Sequence, residues 1–185
     1  EYPHAINALK EAIEIAKKAN FLGTNIQGSG YSFDLFVRRG AGAYICGEET
    51  SMLESIEGKR GLVRYKPPIP AIEGLFGKPT IINNVMSVAA VPIIIAKGGE
   101  FYKNYGVGRS RGTLAFQLAG NIKQGGLVEK AFGVTTRELI EKWGGGTASG
   151  RPVRAVQVGG PLGAYLTVEK LDVPMDYEEF VKIDA

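Results

Sequence analysis

Apolar residues return every three or four positions between His4 and Asn20, at Ile6, Leu9, Ile13 and Ala16, while Lys10/Glu14 and Glu14/Lys18 pair four apart on the other side. That spacing predicts an amphipathic helix, opened by Pro3 and closed by Gly23. The period shortens to two over Ser32–Arg39, where Phe33, Leu35 and Val37 alternate with Asp34, Phe36 and Arg38, predicting a strand that ends at Gly40. A glycine turn follows, then a helix from about Gly47. Helix, strand, turn and helix in that order belong to an α/β unit.

Prolines at 67, 68, 70 and 79 and glycines at 58, 61, 74 and 77 interrupt residues 57–83, which read as one long ordered loop. Asn83 or Asn84 then caps a helix through Val85, Val88, Ala89 and Ile93 to Gly98, with Pro92 interrupting its hydrogen bonding. The run VGRSRG at 107–112 reads as a linker into a second unit. Beyond it, 113–119 (TLAFQLA) and 153–158 (VRAVQV) read as strands, and 125–132 as another. Thr135 and Glu138 have capping-box spacing ahead of Leu139, Ile140 and Trp143, and Gly144 ends that helix. Strands around one helix predict a small α+β sheet domain.

Composition narrows the class. The chain has 185 residues, 44% of them hydrophobic, enough to bury a core in one domain or two small ones. Its longest apolar run, VAAVPIIIA at 88–96, is too short and too broken by Pro92 to span a bilayer. The net charge of +3 is spread over mixed signs, which argues against a dedicated nucleic-acid surface. A single cysteine, Cys46, cannot close an internal disulfide, so the cytoplasm is the default compartment. The chain opens at Glu1 with neither an initiator Met nor a secretory signal, and position 1 is expected to be an internal point of a longer protein.

The candidate chemistry centres on GAYICGEETSML at 42–53, where Glu48 and Glu49 stand side by side after a glycine bend. Two readings stay open. Both acids can simply suit the positive end of a helix dipole, or one can accept hydrogen bonds from ribose hydroxyls as acids do in dinucleotide sites. Asn83 and Asn84 are either ordinary caps or the start of a helix whose N–H groups face an anion. Lys66, on a stiff proline loop, is either solvated or placed to neutralise a phosphate. Cys46 has no histidine beside it and reads as a small hydrophobe, and His4 as a surface residue. The sequence has no CxxC, HExxH, GxSxG or GxGxxG, so metal hydrolysis, an intrinsic iron–sulfur cluster, serine hydrolysis and a standard Rossmann NAD site all lack their residues.

Taken together, GAGAYICGEET, SIEGKRG and RYKPPIPAIEGLFGKPTIINNV resemble the flavin-carrying, NADH-oxidising subunit of respiratory complex I, a family shared with diaphorase subunits of NAD-linked hydrogenases and formate dehydrogenases. The resemblance covers nearly the whole chain. GRSRGTLAFQLAGNIKQGGLVEKAFG and GGGTASGRPVRAVQVGGPLGAYL make it most similar to the flavin subunit of soluble NAD-linked formate dehydrogenases, and they correspond to the family's ubiquitin-like β-grasp, or soluble-ligand-binding, domain. The fold the resemblance implies is α/β: a Rossmann-like FMN-domain segment over 1–106, followed by the β-grasp domain and the start of a linker over 107–185.

The resemblance also implies roles. Tyr44, Gly47 and Glu48 correspond to positions at the FMN, Glu49 to one facing the nicotinamide nucleotide, Asn83 and Asn84 to FMN contacts, and Lys66 to a residue beside the NADH site. Ile69 stands where complex I commonly has a phenylalanine stacked on adenine, so the stacking face is lost here. Met86-Ser87 stands where complex I often has Glu-Thr. The family completes its FMN site with an upstream GRGGAGFP loop and holds a 4Fe-4S cluster on four cysteines of a downstream helical domain, and neither is in these residues. The implied cofactors are FMN and NAD. The implied partners are other subunits of a multisubunit redox complex, including an iron–sulfur subunit, with no nucleic acid and no membrane span. The expected location is cytoplasmic or peripheral on the cytoplasmic face of the inner membrane. Two other functions stay open: a non-catalytic binding or assembly module that holds no flavin alone, and a quinone-linked enzyme.

Overall fold

Proline suits the first turn of a helix, where its missing N–H has no intrahelical partner anyway. Helix α1 accordingly runs Pro3–Lys18, with Lys17 and Lys18 in the last turn, where cations complement the dipole. Ile13 is buried on it, and Ile6 and Ala16 are half-buried. The computed structural model describes residues 2–185 and divides them into two compact units, one running to Ile82 and the other Asn83–Ala185. The boundary expected at 106/107 therefore falls inside the second unit.

In the first unit, residues 32–39 do not form the expected strand. Phe33 makes one antiparallel bridge to Gly23, and residues 34–43 have no regular structure. Alternation prepares a sheet face, but a strand exists only where a partner pairs its N–H and C=O groups. Every paired strand among the described residues lies in the second unit. Phe33 and Phe36 accordingly remain 61% and 80% exposed. After a single 3-10 turn at Tyr44–Gly47 comes helix α2, Glu49–Ile56, with Thr50, Ser51 and Leu53 buried. The loop that follows holds only one further 3-10 turn, Leu75–Gly77, as its prolines and glycines predict.

The second unit opens with α3, Val85–Lys97, capped by the Asn84 side chain, which accepts the Met86 N–H at 2.8 Å. The helix continues through Pro92, whose missing N–H removes a bond without ending it. Helix α4, Gly99–Lys103, follows. The expected linker is instead a tight hairpin of β1, Gly106–Val107, and β2, Ser110–Arg111. Gly106 makes it possible: its φ is +94°, and a Cβ there would sit 2.2 Å from the Ser110 carbonyl oxygen.

Strands β3, Thr113–Leu118, and β4, Gly126–Ala131, pair antiparallel with Thr113 opposite Ala131 and Leu118 opposite Gly126, close to the predicted spans. The Thr135–Glu138 capping box forms as expected ahead of α5, Thr136–Glu138. The chain then widens into a π turn over Leu139–Trp143 before Gly144. Strands β5, Ala155–Gln157, and β6, Tyr165–Thr167, make a third hairpin, and α6, Tyr177–Lys182, closes the order. Phe116, Leu139, Ile140, Leu166 and Leu171 form the buried apolar set. The architecture is thus mixed, helices with two-stranded antiparallel sheets. No helix among the described residues is long and apolar enough to cross a membrane.

Candidate functional site

The bend at 42–49 places the acidic pair by helix-start chemistry. Glu48 is extended, with φ −71° and ψ 136°, and caps α2 instead of lying inside its first turn as the sequence suggests. Its Oε2 accepts the Thr50 N–H at 2.9 Å, the Ser51 N–H at 2.8 Å and the Thr50 hydroxyl at 2.6 Å. Free N–H groups at a helix start need acceptors, and a carboxylate also meets the positive end of the dipole. The Thr50 hydroxyl holds the Glu48 carboxyl below its ordinary range; burial opposes this, and the Ser51 N–H, Lys66 and the Thr50 N–H reinforce it.

Glu49, the first residue of α2, points into a different environment. Its Oε1 takes a hydrogen bond from the Lys66 ammonium, which also reaches Glu48 Oε1 at 3.4 Å. One cation therefore serves two carboxylates. Glu49 foremost pushes the Lys66 ammonium above its ordinary range, and Glu48 adds to the effect against some burial. The Glu49 and Lys66 side chains stay 40% and 38% exposed, so both remain open to a ligand.

Lys66 is held there by a neighbour that sequence inspection passes over. The Arg64 guanidinium donates to Glu54 Oε1 at 2.5 Å, to Glu57 Oε1 at 2.8 Å and to the Gly74 carbonyl at 3.0 Å, while its main-chain N–H donates to Thr50 Oγ1 at 2.9 Å. Glu57 also accepts Lys59 at 2.8 Å and the Phe76 N–H at 2.7 Å. With its side chain only 5% exposed, its carboxyl is pushed down to about 2, by Lys59 first, then the Phe76 N–H and Arg64. An open cavity of about 650 Å³ borders the cluster, lined in part by Glu54, Glu57, Arg64, Tyr65 and Phe76. The available signal was Glu54 on α2 and Glu57 three positions later at its C-cap, ahead of a cationic glycine loop.

The structure thus brings Glu48, Glu49 and Lys66 together. Tyr44 stands 65% exposed in the turn just before, and a Cβ built on Gly47 would meet nothing within 4 Å, so a planar group has open ground against that backbone. Ile69 is 49% exposed on the Lys66 loop. Asn83 and Asn84 belong to the second unit, where Asn84 acts as a cap and both are exposed. Cys46 is half-buried and accepts a weak 3.8 Å bond from the Ser51 hydroxyl, so it packs against the turn and not into an apolar core. His4 is exposed on the first turn of α1, as expected. The donor set suits a flavin nucleotide: free carboxylate oxygen, an ammonium, an exposed aromatic ring and bare glycine backbone lie on one short stretch.

Comparison with known proteins gives this stretch a context. The Nuo51 FMN-binding domain family matches residues 1–93. The NADP-reducing hydrogenase subunit HndC of Solidesulfovibrio fructosivorans is 48% identical over 96% of this chain and 36% of its own length. The F subunit of the NADH-quinone oxidoreductase of Aquifex aeolicus is 49% identical over 96% of this chain and 41% of its own. Among solved structures, the NAD+-reducing NiFe hydrogenase in its H2-reduced state superposes with a TM-score of 0.75 at 34% identity, covering 92% of this chain and 29% of that one. The chain spans about two fifths of the length of these curated relatives. By the match across its first half, the chain belongs to the Nuo51 FMN-binding domain family.

Proposed function

We propose that this chain forms part of the flavin and nicotinamide site of an NADH:acceptor oxidoreductase subunit, which passes hydride between NAD(H) and FMN and electrons onward to iron–sulfur clusters. The observation that carries the proposal is the Lys66 ammonium shared by Glu48 and Glu49 at the start of α2, beside the open backbone of Gly47. FMN, when bound, supplies the hydride-accepting ring and the change from two-electron to one-electron transfer.

The chain's own residues position and discriminate. Tyr44 and Gly47 offer a ring face and bare backbone to the isoalloxazine. Glu48 keeps one oxygen on the helix amides and the other toward Lys66, which fixes the turn on which the flavin rests. Glu49 faces the nicotinamide nucleotide: its free oxygen accepts hydroxyl protons, and its charge repels the extra phosphate of NADPH. Lys66 tempers that repulsion and offers a cation to a phosphate. Ile69 gives the adenine apolar area without a stacking face. The family resemblance assigns flavin contacts to Asn83 and Asn84, and it makes 107–185 a β-grasp domain that docks against other subunits on the cytoplasmic side.

The electron partner is a finer matter. The named relatives are components of a hydrogenase and of a quinone oxidoreductase, whereas the string from Gly108 to Gly133 favours a formate-type enzyme.

Anaerobic addition of NADH to the FMN-loaded protein is expected to bleach the flavin absorbance. NADPH does so more slowly, and Glu49→Gln narrows the gap. A flavin spectrum indifferent to NADH overturns the proposal, and an unchanged ratio in the variant removes Glu49 from its role.

A further inference from the structure

The Thr50 side chain is 1% exposed and joins two segments fourteen residues apart. Its Oγ1 accepts the Arg64 main-chain N–H at 2.9 Å and lies 2.6 Å from Glu48 Oε2. A main-chain N–H can only donate, so the hydroxyl must accept from Arg64 and has one proton left to give. That proton goes to Glu48, which therefore has to be an acceptor at this oxygen. The same oxygen takes the Thr50 and Ser51 N–H groups, so all three donors converge on Oε2 and Oε1 is left facing Lys66.

We propose that Thr50 is a positioning residue for the acidic pair: its hydroxyl fixes the orientation of the Glu48 carboxylate and docks the Lys66 loop to the same point. A proton on Oε2 would set two O–H groups against each other, and a proton on Oε1 would face the Lys66 ammonium, so the two contacts together select the ionised acid. The charged groups facing Glu48 are Glu49 from α2 itself and Lys66 from the loop; the Arg64 guanidinium is directed away, to Glu54 and Glu57, and Cys46 in the preceding turn lies against Ser51. Residue 64 lies two positions before Lys66, so its bond to Thr50 anchors the segment that carries Lys66 beside the pair. The inference rests on the flavin and nicotinamide reading for its functional meaning, but its geometry belongs to the cofactor-free chain.

The test compares wild type, Thr50→Val, which keeps the shape and loses the hydroxyl, and Thr50→Ser, which keeps the hydroxyl. In cofactor-free protein, carboxyl carbon-13 shifts are followed against pH. Glu48 is expected to titrate below the ordinary carboxylate range in wild type and Thr50→Ser, and higher in Thr50→Val. In FMN-loaded protein, the acid limb of the NADH dissociation constant is expected to move to higher pH in Thr50→Val alone. A Val variant that titrates with wild type, or a Ser variant that follows Val, overturns the proposal. If Thr50→Val does not fold, wild type and Thr50→Ser decide it, since an ordinary Glu48 midpoint in either refutes the positioning role. Absence of NADH binding by wild type defeats the flavin and nicotinamide reading and leaves the carbon-13 result to judge Thr50.

Discussion

Gly61 lets the proline loop pass against the turn that precedes the acidic pair, and replacing it with alanine tests that packing. Its backbone is not in the left-handed region, so alanine is conformationally allowed and the cost comes from contact alone. The new Cβ would lie 2.6 Å from Cys46 Sγ and 3.1 Å from Ser51 Oγ. Ordinary heavy-atom separations are about 3.5–4.0 Å, so the sulfur has to move. Overpacking of this kind costs about 1–3 kcal/mol, offset by about 0.4–1 kcal/mol because alanine restricts the unfolded chain. A net loss of about 1–2 kcal/mol is expected for Gly61→Ala. Cys46→Ala removes the sulfur, so in that background the penalty should largely vanish, giving a coupling of about 1–2 kcal/mol. Native-state hydrogen exchange at the α2 amides of Met52 and Leu53 measures the local stability in the four proteins of the cycle. An equal cost for Gly61→Ala with and without the sulfur would refute the contact as its origin.

Acid stability provides a second check. The folded-state pKa of Glu57 is about 2 against an ordinary value of 4.5, so its contribution is complete above about 4.5 and is lost as pH falls through about 2. Urea unfolding of the first unit, followed across that window, should show a pH slope that Glu57→Gln flattens. In the second unit, Leu166 is wholly buried, and Leu166→Ala should cost about 2–5 kcal/mol in exchange protection at β3 and β4. Protection there that survives the substitution would mean that the β5–β6 hairpin is not part of that unit's core.

What the sequence made legible depended on how local each signal is. The Pro3 start of α1, the Asn84 cap and the Thr135–Glu138 box are fixed within four residues of chain, and each forms where the pattern places it. The β3–β4 pair was legible because each strand is six residues long and lies close to its partner in sequence. The alternation at 33–37 misled because a strand needs a pairing neighbour, and the pattern cannot say whether one exists. The hairpin at 106–111 has two residues per strand, too few for any period to register.

Glu48 as a cap went unread for a different reason. Glutamate is outside the usual capping set, and its role here depends on the Thr50 hydroxyl and on a loop that returns fourteen residues later. The Arg64 cluster likewise joins Glu54, Glu57 and Gly74 only after the loop has folded back. Chemistry that depends on loop closure leaves no periodic trace. The family resemblance supplied roles for Glu49 and Lys66, while the geometry added that the two meet each other.

The central claim is that the bend at 42–49 and its Lys66 loop belong to a flavin site, and FMN titration of the protein by fluorescence quenching tests it most directly. Saturable quenching is expected, with a dissociation constant in the micromolar range or tighter, a binding free energy of about −8 kcal/mol, weakened when Glu48 or Tyr44 is replaced by alanine. No quenching by a protein whose circular dichroism is that of a folded chain, or quenching indifferent to both replacements, would contradict it.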